Sequence, residues 1–133
     1  MIVQLSEEDQ ELVDNFNSSI GGNPWVKFED SRIFTYGDKV NDKLLGVIQI
    51  EKWSNTTMGI SIATHPEHRR EKIASKLINF MIHLLSKLGY KGPILMIIDE
   101  NNTPSIELSK SLGFSKLDDY SSIDVEVYVK QVS

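Results

Sequence analysis

The sequence predicts a mixed α/β (α+β) fold in which an antiparallel meander of strands is followed by a βαβ crossover and a C-terminal strand pair. Three observations support this prediction. Three alternating apolar runs are separated by short turns, a later stretch has apolar residues at helical spacing, and a nearly continuous apolar run follows that stretch. The chain has 133 residues, enough for one hydrophobic core but not for two, so residues 1–133 are expected to form a single domain.

The N-terminal segment has the pattern of a first helix. Ser6 can cap it, with Asp9 in the later position of a capping box, and acidic residues fill the first turn. Leu12 and Phe16 are spaced so that they share one face of the helix. The glycines at positions 21 and 22 are expected to end it.

The meander follows this helix. Its strands are predicted at "RIFTYG" (32–37), "LLGVIQIEKW" (44–53) and "TTMGISIATH" (56–65). The connections are short turns, at "DKVND" and at Ser54-Asn55, and short turns join antiparallel neighbours. We therefore expect the three strands to be adjacent and antiparallel.

The period of the apolar residues then changes from strand-like to helical. A long helix is predicted to end at Gly89, and its apolar stripe consists of Ile73, Leu77, Met81, Leu84 and Leu88, widened by Ala74, Ile78 and Leu85. The next run, "GPILMIID" (92–99), is typical of a strand that is buried on both faces. Because a helix connects them, the strands before and after it are expected to run parallel.

A short second helix and a last strand complete the pattern. Asn102 or Thr103 can cap the helix, Pro104 suits its first turn, and Gly113 ends it. The last strand, "SIDVEVYVK", alternates between two faces. Its inward residues are expected to be Ile123, Val125, Val127 and Val129, and its outward residues Asp124, Glu126, Tyr128 and Lys130.

The composition limits the function. The formal net charge of −5, from 14 basic and 19 acidic residues, argues against a nucleic-acid partner. No apolar run approaches the roughly 20 residues of a membrane span, and the N-terminus has no export signal, so we expect a cytoplasmic protein with no membrane partner. The absence of cysteine excludes disulfides and thiolate chemistry. The sequence shows no paired carboxylates with a convincing geometry and no histidine cluster for a metal, so no metal is expected.

Basic side chains concentrate where the third meander strand meets the long helix. Arg69, Arg70, Lys72 and Lys76 lie there in a chain that is acidic overall. A helix start offers unpaired N–H groups and the positive end of the helix dipole, which suit a phosphate or pyrophosphate. Basic residues in a first turn oppose that dipole unless an anion neutralises them. The simpler alternative, a solvated basic face, stays open.

Two stretches of the chain resemble the GNAT superfamily of acyl-CoA-dependent N-acetyltransferases. In "THPEHRREKIASKL" (64–77), Arg69, Lys72 and Ala74 occupy the family's positions for Arg or Gln, for Gly, and for Gly or Ala. The stretch "ENNTPSIELSKSLGF" (100–114) resembles a later family segment at Asn102, Ser105, Ile106, Leu108, Leu112, Gly113 and Phe114. The clear match covers residues 60–115, and the two stretches occur in the family's order.

The resemblance implies a central splayed β-sheet flanked by helices, with acetyl-CoA between the third and fourth strands of the central group. The pantetheine arm would bond to the backbone of Ile62, Ala63 and Thr64. The pyrophosphate would bind at the start of the long helix, at Arg69, Arg70, Glu71, Lys72, Ile73 and Ala74. Asn102 and Ser105 are expected to contact the same co-substrate from the second stretch.

Two residues depart from the family's pattern. Lys72 stands where the family usually has glycine, which predicts weaker or rearranged backbone contact with the phosphates, partly compensated by the ammonium group. Ser109 stands where many members have a tyrosine that protonates the departing thiolate. Because a thiol of pKa about 8.5 leaves without full protonation, a hydrogen bond from Ser109 or Asn102 could suffice, with Tyr120 as a distant alternative.

The implied reaction is direct transfer of an acetyl group from acetyl-CoA to a primary amine of a small molecule or peptide. A lysine-type amine has a pKa of about 10.4 and must lose a proton first, and Glu51 is the preferred candidate base. His65, Asp99 and Glu100 are further candidates, and all four residues also fit ordinary strand-end, turn or capping roles. His83 is expected on the surface or in packing.

Other functions stay open on the sequence alone. A GNAT-fold module that binds acyl-CoA as a sensor or partner-binding subunit fits the departures at Lys72 and Ser109. A phosphate- or nucleotide-binding protein of another kind needs only the basic helix start. A homodimer through the edge of the last strand is compatible with the pattern, and Glu29 and Asp30 mildly favour a cationic amine.

Overall fold

The computed structural model describes residues 1–20, 32–69, 71–118 and 124–132. The helices are α1 (Gln10–Ser19), α2 (Ile73–Lys87) and α3 (Thr103–Ser111), with 3-10 turns at Glu7–Asp9 and Pro66–His68. The strands are β1 (Ile2–Gln4), β2 (Ile33–Val40), β3 (Lys43–Lys52), β4 (Met58–Thr64), β5 (Gly92–Asp99), β6 (Ser115–Lys116) and β7 (Val125–Val132). The glycines expected to end the first helix, Arg70, Tyr120 and Ile123 lie outside the described residues.

The strands form one sheet in the order β1-β2-β3-β4-β5-β7-β6. The β2-β3-β4 meander is antiparallel, as predicted. β4 and β5, which α2 connects, run parallel, and β5 pairs antiparallel with β7. The mixed α/β prediction is therefore confirmed, with β1 as an additional edge strand that the sequence did not reveal. None of the described helices is long and apolar enough to cross a membrane.

The two faces of the sheet have separate cores. On one face, α1 packs through Val13 and Phe16 against Val47 of β3; this is the α1 face. On the other, the α2 face, the buried stripe of α2 packs against β3, β4 and β5. At the α1 start, Ser6 N–H donates to the Asp9 carboxylate at 2.9 Å, so the predicted pairing of these residues is confirmed.

α2 approaches the sheet closely at Gly46. A Cβ at this position would lie 2.6 Å from Ile73 Cγ2 and 3.1 Å from Leu77 Cδ1. Any larger residue would therefore push the first turn of α2 away from β3. Gly46 lets the N-terminus of α2 lie directly against the meander, next to the end of β4.

Tyr128 of β7 departs from the predicted facing, whereas Val127, predicted to point inward, is buried as expected. Tyr128, expected to point outward, pairs with Met96 of β5 and is fully buried in the core of the α2 face. Burial raises the pKa of the Tyr128 hydroxyl, which donates to Glu126 at 3.3 Å. Alternation gives the period of a strand but not which face the helices cover, and here the face of β7 that carries Tyr128 meets that core.

β7 is also not the outermost strand. β6 lies beyond it and pairs with it at Val129 and Tyr128. The expectation that the last strand offers an edge for a second copy is therefore corrected, since β6 occupies part of that edge.

A buried carboxylate ties β2 to α2. Asp38 is almost fully buried, and its oxygens lie 3.0 Å from Lys76 Nζ and 3.1 Å from the amino nitrogen of Met1. Burial opposes ionisation of Asp38, but hydrogen bonds from Lys76 and Met1 and their charges outweigh it and lower its pKa. Lys76, one of the four basic residues at the predicted anion site, is therefore engaged elsewhere.

This pair predicts a pH-dependent stability. A depressed folded-state pKa stabilises the fold above the unfolded value of about 3.9, and this contribution is lost as pH falls through the folded value. Asp38→Asn is therefore expected to lower the melting temperature at pH 7, and the difference from the unmodified protein should shrink below about pH 4. Thermal melts across pH test this, with the exposed Asp42→Asn as control. A difference that is constant with pH would contradict it.

Candidate functional site

β4 and β5 separate after a very short pairing. The two strands are in register only at Met58 with Ile94 and at Gly59 with Leu95. Both then continue, β4 to Thr64 and β5 to Asp99, without further pairing to each other. An opening therefore widens from Gly59 toward the carboxyl ends of the strands, and the splayed sheet that the resemblance implied is confirmed.

One hydrogen bond shows which backbone groups of β4 face this opening. His65 N–H donates to Leu45 C=O of β3 at 2.8 Å. In an antiparallel pair, the backbone groups of successive residues point alternately toward the partner and away from it. The backbone groups of Ile62 and Thr64 consequently point away from β3 and into the opening, whereas those of Ala63 point to β3. Two of the three residues expected to bind the arm therefore present their backbone to the opening.

The opening leads to the N-terminus of α2. Lys76 N–H donates to Lys72 C=O at 3.1 Å as the first bond of the helix. The N–H groups of Ile73, Ala74 and Ser75 therefore come before the first intrahelical bond, and N–H groups at such a helix start, together with the helix dipole, suit an anion. Earlier in this segment, Glu71 N–H donates to His68 C=O at 3.2 Å and is engaged within the turn.

Lys72 keeps the backbone conformation that glycine favours. It caps α2 with φ 59° and ψ 26°, in the left-handed region. A non-glycine residue is strained there because its Cβ approaches the following carbonyl. The side chains of Lys72 and Arg69 are both exposed. The lysine thus preserves the chain path into α2 at a cost in stability.

Lys72→Gly is expected to stabilise the fold by about 0.5–1 kcal/mol, because release of the left-handed strain exceeds the greater backbone entropy of glycine. The expected increase in melting temperature is roughly 2–4 °C for a chain of this size. Lys72→Ala, which keeps the strain and removes the ammonium group, is the control. Equal melting temperatures for the two variants would contradict this interpretation.

The turn between β4 and α2 brings two histidines together. His65 Nδ1 accepts from Glu67 N–H at 3.2 Å, and His68 Nδ1 lies 2.7 Å from Glu71 Oε2. Burial and the nearby Lys43 charge lower the pKa of His65. Atoms of His65, Glu67 and His68 that could bind a metal ion lie within 4.8 Å of one another. The prediction that the chain has no histidine cluster for a metal is therefore wrong. Both Nδ1 atoms are already engaged within the turn.

A cavity of about 330 Å³ lies on the other side of His65, between α1 and the β2–β3 turn. Phe16, Leu44 and Lys43 are among its lining residues. It belongs to the α1 face and does not contain the residues at which β4 and β5 separate.

α3 lies against β5, as the contact between Ser109 and Met96 shows. Asn102 Oδ1 accepts from Ser105 N–H at 3.3 Å, which confirms Asn102 as the cap of α3. Ser109 is fully buried, its hydroxyl donates to Ser105 C=O at 2.9 Å, and it lies 3.5 Å from Met96 Sδ. Both acceptors of its hydroxyl therefore lie within the packing of α3 against β5.

The candidate bases lie at different places. Glu51 pairs with Gly59 across β3 and β4, so its half-buried side chain lies on the α1 face at the point of separation. Asp99 accepts from Asn101 N–H at 2.8 Å and Glu100 is exposed, both at the far end of β5. His83 is exposed on α2, as expected. Glu51 is therefore the candidate nearest to the start of the opening.

Trp53 lies beside the start of the opening, a position that the sequence analysis does not predict. A Cβ at Gly59 would lie 2.1 Å from Trp53 Cζ2, so the indole ring covers Gly59 directly. The signal in the sequence was Gly59, because a glycine inside an alternating strand often marks a position where another group closely approaches the backbone. The prediction had treated Trp53 only as the end of a strand.

The comparisons with known proteins agree with this geometry. A curated relative, the N-terminal acetyltransferase B complex catalytic subunit NAA20 of Arabidopsis thaliana, is 26% identical over 80 residues, which are 59% of this chain and 45% of the relative. The ribosomal-protein-S18-alanine N-acetyltransferase from Escherichia coli has a similar structure, with a TM-score of 0.82 at 18% identity over 100% of this chain and 94% of that one. Arabidopsis thaliana NAA60, solved in complex with acetyl-CoA, gives a TM-score of 0.76 at 15% identity over 99% and 98% of the two chains.

A family model covers most of the sequence. Residues 3–114 match the model described as the acetyltransferase (GNAT) family, a span that includes the opening, the start of α2 and all of α3. The chain therefore belongs to the acetyltransferase (GNAT) family.

Proposed function

We propose that this protein transfers an acetyl group from acetyl-CoA to a primary amine. The observation that supports this most is the opening between β4 and β5, where an edge of backbone groups leads to the N-terminus of α2. An extended arm with amide groups can bind such an edge as an added strand would, and a pyrophosphate matches the N–H groups of a helix start. Family membership and the relative solved with acetyl-CoA support this co-substrate.

Each part of the co-substrate has proposed partners. The backbone of Ile62 and Thr64 binds the pantetheine arm, with Ala63 between them orienting toward β3. The pyrophosphate binds the N–H groups of the α2 start. The full proposed phosphate segment is Arg69, Arg70, Glu71, Lys72, Ile73 and Ala74. Asn102 and Ser105 approach from the start of α3.

The chemistry takes place where the strands separate. The four residues from Thr64 to Ile60 span about 13 Å, so an arm anchored at α2 directs its thioester toward Ile60 and Gly59. Glu51 accepts a proton from the attacking amine, a C–N bond forms, and the C–S bond breaks to release the thiolate.

For the acceptor, we propose the α-amino group of a peptide. The relatives named above as N-terminal acetyltransferase and as ribosomal-protein-S18-alanine N-acetyltransferase support this choice. The α-amine has a pKa about 2.5 units below that of a lysine side chain, so its deprotonation is easier by about 3.4 kcal/mol. Such an acceptor suits a site in which Glu51 is the proposed base.

Ser109 enters the proposal as a hydrogen-bond donor to the departing thiolate, which requires its hydroxyl to rotate away from Ser105 C=O. If it has this role, Ser109→Ala should lower kcat about tenfold, with a smaller change in the melting temperature. Because a thiolate leaves tolerably well without a donor, a larger loss is not expected. A variant that turns over normally would assign Ser109 to packing against Met96 instead.

Calorimetry with acetyl-CoA and a thiol-release assay with peptide amines test the proposal. Binding together with thiol release supports the enzyme, whereas binding without release for any amine supports the acyl-CoA sensor. No binding at millimolar acetyl-CoA rules out both. Arg69→Ala should weaken binding about tenfold, since a phosphate contact is lost, and Lys87→Ala at the other end of α2 serves as the control.

A cytoplasmic location and a homodimer are further parts of this proposal. Sedimentation at micromolar concentration tests the oligomeric state, and a monomer at all concentrations would remove the homodimer.

A further inference from the structure

The side chains around Glu51 define one side of the opening. Antiparallel partners place their side chains on the same face, so Glu51 and the Gly59 position face the α1 side of the sheet. The parallel register of Gly59 with Leu95 extends this face to β5. Ile97, two residues beyond Leu95, lies on the same face and is 59% exposed.

Trp53 lies on this face and is held there. Its ring covers Gly59, and its backbone N–H donates to Thr57 C=O at 3.0 Å. The Tyr90 hydroxyl lies 2.6 Å from Pro93 C=O and 3.1 Å from Thr56 C=O, and so places the β3–β4 hairpin next to the start of β5. Trp53 is nevertheless 43% exposed, so a large part of the indole is available for contact.

Two exposed apolar side chains thus flank the opening beside the proposed base. Trp53 lies on the β3–β4 side and Ile97 on the β5 side. A mid-strand isoleucine that is more than half exposed leaves most of its apolar surface in water, where it contributes nothing to stability. An acceptor that brings its own apolar side chain between them would bury both surfaces as its amine reaches Glu51.

We infer that Trp53 is a specificity-determining residue that selects acceptors with a large apolar side chain next to the reacting amine. This inference rests on the proposed function, because it assumes that the amine is acetylated where β4 and β5 separate. The substrate class is then a peptide whose first residue is large and apolar, with the indole packing against that side chain and Ile97 opposite it.

Peptides that differ only in their first residue, Leu or Gly, test the inference. Trp53→Ala should lower kcat/KM for the Leu peptide about tenfold and leave the Gly peptide within about twofold. Trp53→Phe should restore most of the loss, and the affinity for acetyl-CoA should be unchanged. Phe34→Ala is the matched control, since Phe34 is 48% exposed but pairs with Ile50 on the opposite face.

A second readout does not depend on turnover. The chain has two tryptophans, so a Trp25→Phe background isolates the fluorescence of Trp53. Titration with the Leu peptide should give a saturable change that the Gly peptide does not give at the same concentrations. If the protein transfers no acetyl group but the Leu peptide still changes the Trp53 fluorescence, the proposed function is wrong and the contact between Trp53 and the apolar side chain is supported. Equal losses for both peptides in Trp53→Ala, or no fluorescence change with the Leu peptide, overturn the inference.

Discussion

Replacing Glu51 by glutamine is expected to lower kcat for acetyl transfer about a hundredfold at pH 7, because the attacking amine loses its proton acceptor. Glutamine has nearly the same shape, so the contact with the Gly59 region of β4 is kept. The affinity for acetyl-CoA should change little, because the proposed contacts of the co-substrate lie on β4, α2 and α3. A kcat that rises with pH in the variant is expected as more amine becomes deprotonated in solution.

Glu100→Gln is the matched control for this experiment. Glu100 is an exposed carboxylate at the far end of β5, and the sequence had made it a candidate base too. Steady-state thiol release gives kcat, and calorimetry gives the Kd for acetyl-CoA. If both variants lose activity equally, or if Glu100→Gln alone does, the assignment of the base to Glu51 is wrong.

Replacing Ile62 by proline is expected to weaken acetyl-CoA binding about tenfold, because it removes an N–H group that points into the opening. Proline is tolerated at a strand edge whose N–H has no partner strand, so the β3–β4 ladder should survive. Ile62→Ala is the matched control, since it shortens the side chain in the same way and keeps the N–H.

Ala63→Pro gives the opposite pattern. Its backbone N–H points to β3, so proline there removes a ladder hydrogen bond and should lower the melting temperature far more than Ile62→Pro does. Calorimetry and thermal melts on the three variants separate binding from stability. Equal affinities for Ile62→Pro and Ile62→Ala would show that the arm does not bond to this edge.

Much of the fold was predictable because it depends on local periods. The meander and the βαβ crossover follow from alternation, helical spacing and turn residues, and the structure confirms them. For the cap of α3, the structure selects Asn102 from the two predicted candidates, Asn102 and Thr103. The short β1 was missed because a strand of three residues has no period to detect. The outward prediction for Tyr128 was wrong because alternation does not say which face is covered.

For the site, the sequence by itself determined the elements and the family: a strand, a basic helix start and a later Asn-capped helix, in that order. Only the tertiary structure decided which backbone groups face the opening, that Lys76 is engaged with Asp38, and that Trp53 covers Gly59. These facts depend on contacts between residues that are far apart in the chain or on different strands. Local pattern carries no information about such contacts, because they form only when the sheet and helices pack together.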